Sequence, residues 1–228
     1  MATNGPGPQP TRFLNATACP SAEISDEDRV MPRGFLAPEE TVLGRTAGFL
    51  TDEQQKQIVQ WWLKKPSHKL PNWDIASTCR IDGQQGLLLV EAKAHAGEMG
   101  ENDCCGAGEE NYTSISGAVA EVSDALNKAN GGGWHLNVTT RYQLCNRFAW
   151  AWKVASFGVP VVLVYLGFLN TLEWDDRFTS HADWERCLLN HADGCVPRSA
   201  WGNRILVNGV PVVPLIRSAD VNIVRPQA

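Results

Sequence analysis

Asp74 and the triplet Glu91-Ala92-Lys93 stand sixteen residues apart, and together they hold the donor types from which a phosphoryl-transfer site can be built. Glu91 and Lys93 are two positions apart, so in a strand both side chains leave the same face. Asp74 opens the β-prone run Ile75 to Ile81, Asp82-Gly83 is a turn signal, and Glu91 closes a second run that carries Leu87, Leu88, Leu89 and Val90. Antiparallel pairing about a turn at Asp82 to Gln84 sets Asp74 across from Glu91 or Lys93, on their face. Two carboxylates and an ammonium would then meet at one end of a hairpin, beside an apolar run that has no other reason to tolerate charge. Hard oxygen donors at this density suit Mg2+ or Mn2+ better than zinc. The cation would activate water for attack on phosphorus, with Lys93 orienting that water or offsetting the charge that develops. The plainer reading is a solvated Glu91–Lys93 ion pair at a strand end, with Asp74 capping a turn.

The surrounding sequence supplies elements to hold such a cluster. Thr51 and Gln54 resemble a capping box, and Ile58, Val59, Trp62 and Leu63 form an apolar stripe, so a helix is expected from Asp52 to Lys64. The hairpin follows as Ile75 to Ile81 and Gly86 to Ala94. His95 to Glu110 is polar, acidic and Gly-rich and reads as a loop. Helical spacing returns over Ser114 to Ala129 and over Thr140 to Phe157, and Val159 to Phe168 is a buried strand. A helix over Ala182 to Asn190 precedes a C-terminal hairpin, in which Arg204 to Val207 and Val210 to Ile216 flank Asn208-Gly209. The order αββ, α, α, β, α, ββ predicts an α/β protein. Residues 1–45 lack a sustained period and are expected to form an extended or partly disordered arm, leaving 46–228 as a single domain.

Composition limits the classes. Of 228 residues, 43% are hydrophobic and 20% charged, which excludes collagen-like, coiled-coil and largely disordered chains. The longest apolar stretch, Pro160 to Leu169, is too short to span a bilayer as a helix, so no membrane partner is expected. No basic segment followed by an apolar run opens the chain, and the seven cysteines are odd in number, so a cytoplasmic protein with reduced thiols is expected. The net charge of −5 argues against a dedicated nucleic-acid clamp. The balance is uneven, however: 11 basic against 18 acidic residues up to Asn137, and 9 against 7 after it. A polyanion would be met mainly by the second half.

Asp74, the sixteen-residue gap and Glu91-Ala92-Lys93, set in an αββ unit with a helix and an apolar strand beyond it, resemble the PD-(D/E)xK nuclease superfamily over about Thr51 to Leu169. Trp73 stands where the pattern has Pro. The resemblance implies a restriction-endonuclease-like core, a central mixed β-sheet flanked by helices, and metal-dependent hydrolysis of phosphodiester bonds, with DNA the expected substrate. It implies Asp74 and Glu91 as metal ligands, the Ala92 carbonyl as a further one, and Lys93 as the catalytic lysine. Glu53, an acid on the first helix, is the candidate for an additional ligand, although an acid in a first turn also serves the helix dipole. Gln143, Arg147, Trp150 and Lys153 recur at intervals of three and four, so Gln143, Arg147 and Lys153 are candidate substrate contacts. A homodimer would be a simple route to cutting both strands of a duplex.

Other readings compete. A non-catalytic binding or assembly module on the same fold is the alternative, and the acidic loop Glu98 to Glu110, which would repel phosphate unless it folds away, keeps a small-molecule enzyme open. His181, Cys187, His191 and Cys195 have zinc-like spacing, but Trp184, Cys187, Leu188 and His191 also make an ordinary apolar stripe. Cys104-Cys105 offers no pattern beyond a thiol pair. Gly131-Gly132-Gly133 lacks the Lys-Ser/Thr of a phosphate-binding loop. The tryptophans at 61, 62, 150 and 152 are explained by helix packing, with base stacking by one or two a secondary use.

Overall fold

Leu87 to Val90 and Val161 to Leu166 are apolar at successive positions, not alternate ones, so both faces of the strands they form must be covered. A computed structural model, describing residues 10–33, 38–65, 69–100 and 103–220, shows how this is done. The elements are α1 (Pro10–Ala18), β1 (Val30–Met31), α2 (Asp52–Trp62), β2 (Ile75–Ile81), β3 (Gln84–Lys93), α3 (Glu109–Asn130), α4 (Tyr142–Ser156), β4 (Val161–Leu169), α5 (His181–Ala192), β5 (Ile205–Val207) and β6 (Val210–Asp220). Six strands form one mixed sheet in the order β1-β2-β3-β4-β6-β5, flanked by helices. The β3–β4 and β4–β6 pairs are parallel and the others antiparallel. No helix among the described residues is long and apolar enough to cross a membrane.

From Asp52 onward the element order is the one expected. The Thr51 and Gln54 side chains exchange bonds with each other's backbone N–H, as a capping box requires. In the C-terminal hairpin Asn208 and Gly209 both take positive φ, the requirement of a tight turn whose twist matches its strands. Helix α3 begins at Glu109, five residues before the expected Ser114. Glu109 and Glu110 sit in its first turn, where acids favour the helix dipole, so the acidic end of the expected loop is helix instead.

The arm differs most from expectation. Residues 1–9 and 34–37 lie outside the described residues, but the rest carries α1 and the edge strand β1. Leu14, Ala18, Ala22 and Ile24 pack with Leu88, Val90, Val162, Val164, Val213 and Leu215 on one sheet face. Arg217 of β6 fastens α1 there by donating to the Thr17 and Cys19 carbonyls at 3.0 and 2.9 Å. Helices α2 to α5 cover the opposite face, where Leu87, Leu89, Trp62, Trp150, Phe148 and Trp184 form the larger core. Gly167 on β4 lets α5 approach: a Cβ there would lie 2.5 Å from the Trp184 ring. Helix α1 and the chain through Ile24 are thus the cover of the second face. The Leu14→Ala substitution is expected to destabilise the protein by about 3 kcal/mol in urea unfolding, as for a well-packed core leucine. A change below about 0.5 kcal/mol, typical of a surface site, would show that α1 is dispensable.

Candidate active site

Strand alternation divides β3 between the two cores. Leu88, Val90 and Ala92 face α1, whereas Leu87, Leu89, Glu91 and Lys93 face the larger core. The register pairs Ile75 with Val90, so Asp74 falls across from Glu91. Its Oδ2 accepts the Ala92 N–H at 2.7 Å, which fixes the carboxylate beside Glu91. Glu91 is only 2% exposed, and a carboxylate at that depth must be compensated. Lys93 Nζ donates to its Oε1 at 2.6 Å, and Arg147 Nε, reaching down from α4, donates to its Oε2 at 2.6 Å. Arg147 is steadied by a bond to Asn146 Oδ1 at 2.9 Å and lies over the Trp73 ring, 4.8 Å from its centroid.

Asp74 is the least settled member. Burial, and then the negative charge of Glu91, raise its pKa from 3.8 to about 6, against the Ala92 N–H and the charges of Arg147 and Lys93. Tyr165, opposite Glu91 on β4, has its hydroxyl pKa pushed well up by burial and by that carboxylate. Its hydroxyl donates to the Leu144 carbonyl at 3.4 Å.

Beside this cluster lies a cavity of about 510 Å3, lined by Lys93, Arg147 and Tyr165 together with Asn72, Gln143, Asn146 and His191. Glu98 and Asp103 also line it, but both are occupied by backbone. Glu98 accepts the Ala94 and His95 N–H groups, and Asp103 accepts the Gln143 N–H, capping α4 where Arg141 has no capping side-chain bond of its own. Glu98 thus folds onto amides of its own segment and Asp103 onto one of α4. Residues 101–102 of the acidic loop lie outside the described residues.

The expected site residues divide accordingly. Asp74, Glu91, Lys93 and Arg147 come together, and Gln143 lines the cavity. Arg147 is a buried partner of Glu91, not an exposed phosphate contact. Lys153 lies elsewhere, its ammonium 5.2 Å from the Trp61 ring centre and 5.3 Å from that of Phe157, because six residues along α4 carry it to the far end of the helix. Glu53 is exposed in the first turn of α2 and accepts a bond from Gln57. That turn borders Gln84 to Leu87, at the opposite end of β3 from Glu91, so Glu53 is not in the cluster. Trp62 and Trp150 are fully buried and packed together, which leaves no face for a base. Cys187 is half-buried and the His181 ring bonds Ser218, and no group of three or more His, Cys, Asp or Glu residues among those described is arranged to hold a metal ion.

Sequence reasoning missed Trp73, Asn146 and Tyr165. Only Tyr165 carried a signal, as the lone hydroxyl in an otherwise apolar strand. Together these features define an α/β protein with a buried carboxylate–cation cluster at one end of its sheet, beside a polar cavity. Comparisons of the chain with protein-family models, with curated proteins and with solved structures give no match.

The raised pKa of Asp74 has a measurable consequence. Below pH 3.8 the residue is protonated whether folded or not, and its contribution to stability is intact; as pH rises through about 6 that contribution is lost, because the unfolded chain ionises first. Asp74→Asn cannot ionise. Allowing for partial solvent screening, the variant is expected to exceed the native protein in stability by about 2 kcal/mol at pH 8, with the gap closing near pH 4. Denaturant unfolding across this range checks it, and a gap independent of pH would rule out the assigned ionisation.

Proposed function

We propose that this chain is a Mg2+- or Mn2+-dependent nuclease-like protein that hydrolyses phosphodiester bonds in nucleic acid, DNA foremost, on a restriction-endonuclease-like core. The observation that carries this reading is the meeting of Asp74, Glu91 and Lys93 at one sheet end beside a polar cavity that Lys93 lines, with the ionisation of Asp74 opposed by burial and then by the charge of Glu91. A buried carboxylate pair of this kind calls for a cation. The donor set fits a hard ion: Mg2+ commonly takes one or two carboxylates and fills its shell with water and phosphate oxygens, and so needs no third acidic or sulfur ligand. Asp74 and Glu91 would hold it, and when bound it would supply an activated water and neutralise charge at phosphorus. Lys93 donates to Glu91 in the resting arrangement and is positioned to turn toward a phosphate oxygen in the cavity. Arg147 holds Glu91 in orientation, while Gln143 and Asn146 offer neutral donors to substrate oxygens.

A second reading, a non-catalytic binding or assembly module, is favoured by one detail. Both Glu91 oxygens are already satisfied by Lys93 and Arg147, a closed arrangement that needs no metal.

The test is cleavage of plasmid, single-stranded DNA and RNA with Mg2+, Mn2+ or EDTA, alongside melting temperature with and without the cation. Lys93→Ala is expected to lower cleavage by ~100-fold or more while keeping the cation-induced rise in Tm. Asp74→Ala is expected to lose both. A folded protein that neither cleaves nor responds to the cation would establish the module reading instead.

A further inference from the structure

Away from the carboxylate cluster, two sulfurs the proposed reaction does not use lie against each other. Cys145, on α4, and Cys195, three residues past the end of α5, share Asn137 as a common neighbour. Asn137 ties both: its backbone N–H donates to Cys145 Sγ at 3.4 Å and its side-chain Nδ2 to Cys195 Sγ at 3.7 Å. Arg141 Nη1 donates to Cys195 Sγ at 3.8 Å and to the Asp193 carbonyl at 2.7 Å. Arg141 has φ of 51°, a left-handed conformation uncommon for a residue with a side chain.

We propose that Cys145 and Cys195 are an oxidisable pair, a modification site at which a peroxide closes a disulfide beside the cavity. The assignment rests on converging donors. Three N–H groups point at two sulfurs, and Cys195 receives two of them, the environment of a thiolate. The neighbouring Cys145 thiol, and then the Arg141 guanidinium and the Asn137 amide, hold the Cys195 thiol below the usual thiol range against the opposing effect of burial. The neighbouring Cys195 and burial push that of Cys145 well up. One sulfur is thus the nucleophile and the other keeps its proton. Although Cys195 is buried, the adjoining Asp193 and Gly194 are exposed, so the sulfur lies just beneath the surface, within reach of an oxidant as small as hydrogen peroxide.

The chemistry balances in two steps. The Cys195 thiolate attacks one peroxide oxygen; an S–O bond forms, the O–O bond breaks, and the departing hydroxide takes a proton to become water. The Cys145 sulfur then attacks the sulfenic sulfur; an S–S bond forms, the S–O bond breaks, and hydroxide leaves with the Cys145 proton as a second water. The two sulfurs together lose two electrons to the peroxide. Leu144, Asn146 and Arg147 flank Cys145 and line the cavity, and His191, four residues before Cys195, lines it as well. The disulfide therefore fastens α4 to the end of α5 beside the site.

The test is peptide mapping without reduction after hydrogen peroxide is added to the folded, full-length protein, with Cys195→Ser and a urea-unfolded sample as controls. The expected product is a Cys145–Cys195 linked peptide, two hydrogens lighter than its parts, reversed by dithiothreitol and absent from the variant. Hydrogen exchange is expected to slow over 142–147 and 191–196 in the oxidised protein. Exposed Cys19 and Cys104 oxidising while Cys145 and Cys195 remain free thiols would overturn the proposal. So would Cys195 advancing to sulfinic acid unlinked, or the linked peptide forming only in urea.

Discussion

Glu91 is the constraint around which the site is organised. A carboxylate only 2% exposed inside an apolar strand loses hydration worth several kcal/mol, and the loss is tolerable only if ion pairing and hydrogen bonds replace it. One partner is local, since Lys93 shares its strand and its face. The other is not: Arg147 must be delivered by α4, fifty-six residues away, at the height that brings Nε within 2.6 Å of Oε2. That requirement bears on where α4 lies over the sheet. The indole of Trp73 beneath the guanidinium and the aromatic contact between Trp62 and Trp150 hold the same packing from two sides. Replacing such a network with apolar side chains is often neutral or stabilising in other proteins, so its cost to folding is itself a reason to look for function.

The cover of the second sheet face is a separate condition for the same site. Glu91 and Lys93 can share the α4 side only because Val90 and Ala92 take the other face, and that face must be dry for β3 to be central. Helix α1 supplies Leu14 and Ala18 to it, and Arg217 ties the helix end to β6. Helix α1 thus belongs to the architecture that positions the cluster, from the opposite face of the sheet.

What could be read in the sequence follows the range over which each physical signal acts. Periodicity, caps and turns are local, and they located the elements from α2 to β6; the hairpin register is also local, and it put Asp74 opposite Glu91 or Lys93, of which the structure has Glu91. Helix α1 escaped because it is only nine residues long and has no acid in its first turn and no base in its last to mark its ends. Its necessity was nonetheless written in the unbroken apolar runs of β3 and β4, which demanded a second cover when only residues 1–45 were unassigned. Arg147 and Lys153 are two cations on one helix, about 120° around and about 9 Å along it from each other, and only the crossing of α4 over β3 decides which is the buried partner and which lies on Trp61. Glu53 failed for the same reason: helix α2 presents its acidic first turn to the wrong end of the sheet.

The balance of charge in the cluster decides between its two readings. Asp74 and Glu91 are matched in number by Lys93 and Arg147, so a purely structural site would gain by letting all four ionise with each negative charge equally served. The geometry is unequal. Both cations bond Glu91, while Asp74 has a single backbone N–H at Oδ2 and a pKa near 6. A carboxylate whose ionisation is opposed first by burial and then by its neighbour costs the fold stability at neutral pH. It is more readily understood as a group whose partner comes from outside the chain, and a hard divalent cation meets that description because its charge would remove the repulsion from Glu91 that raises the pKa.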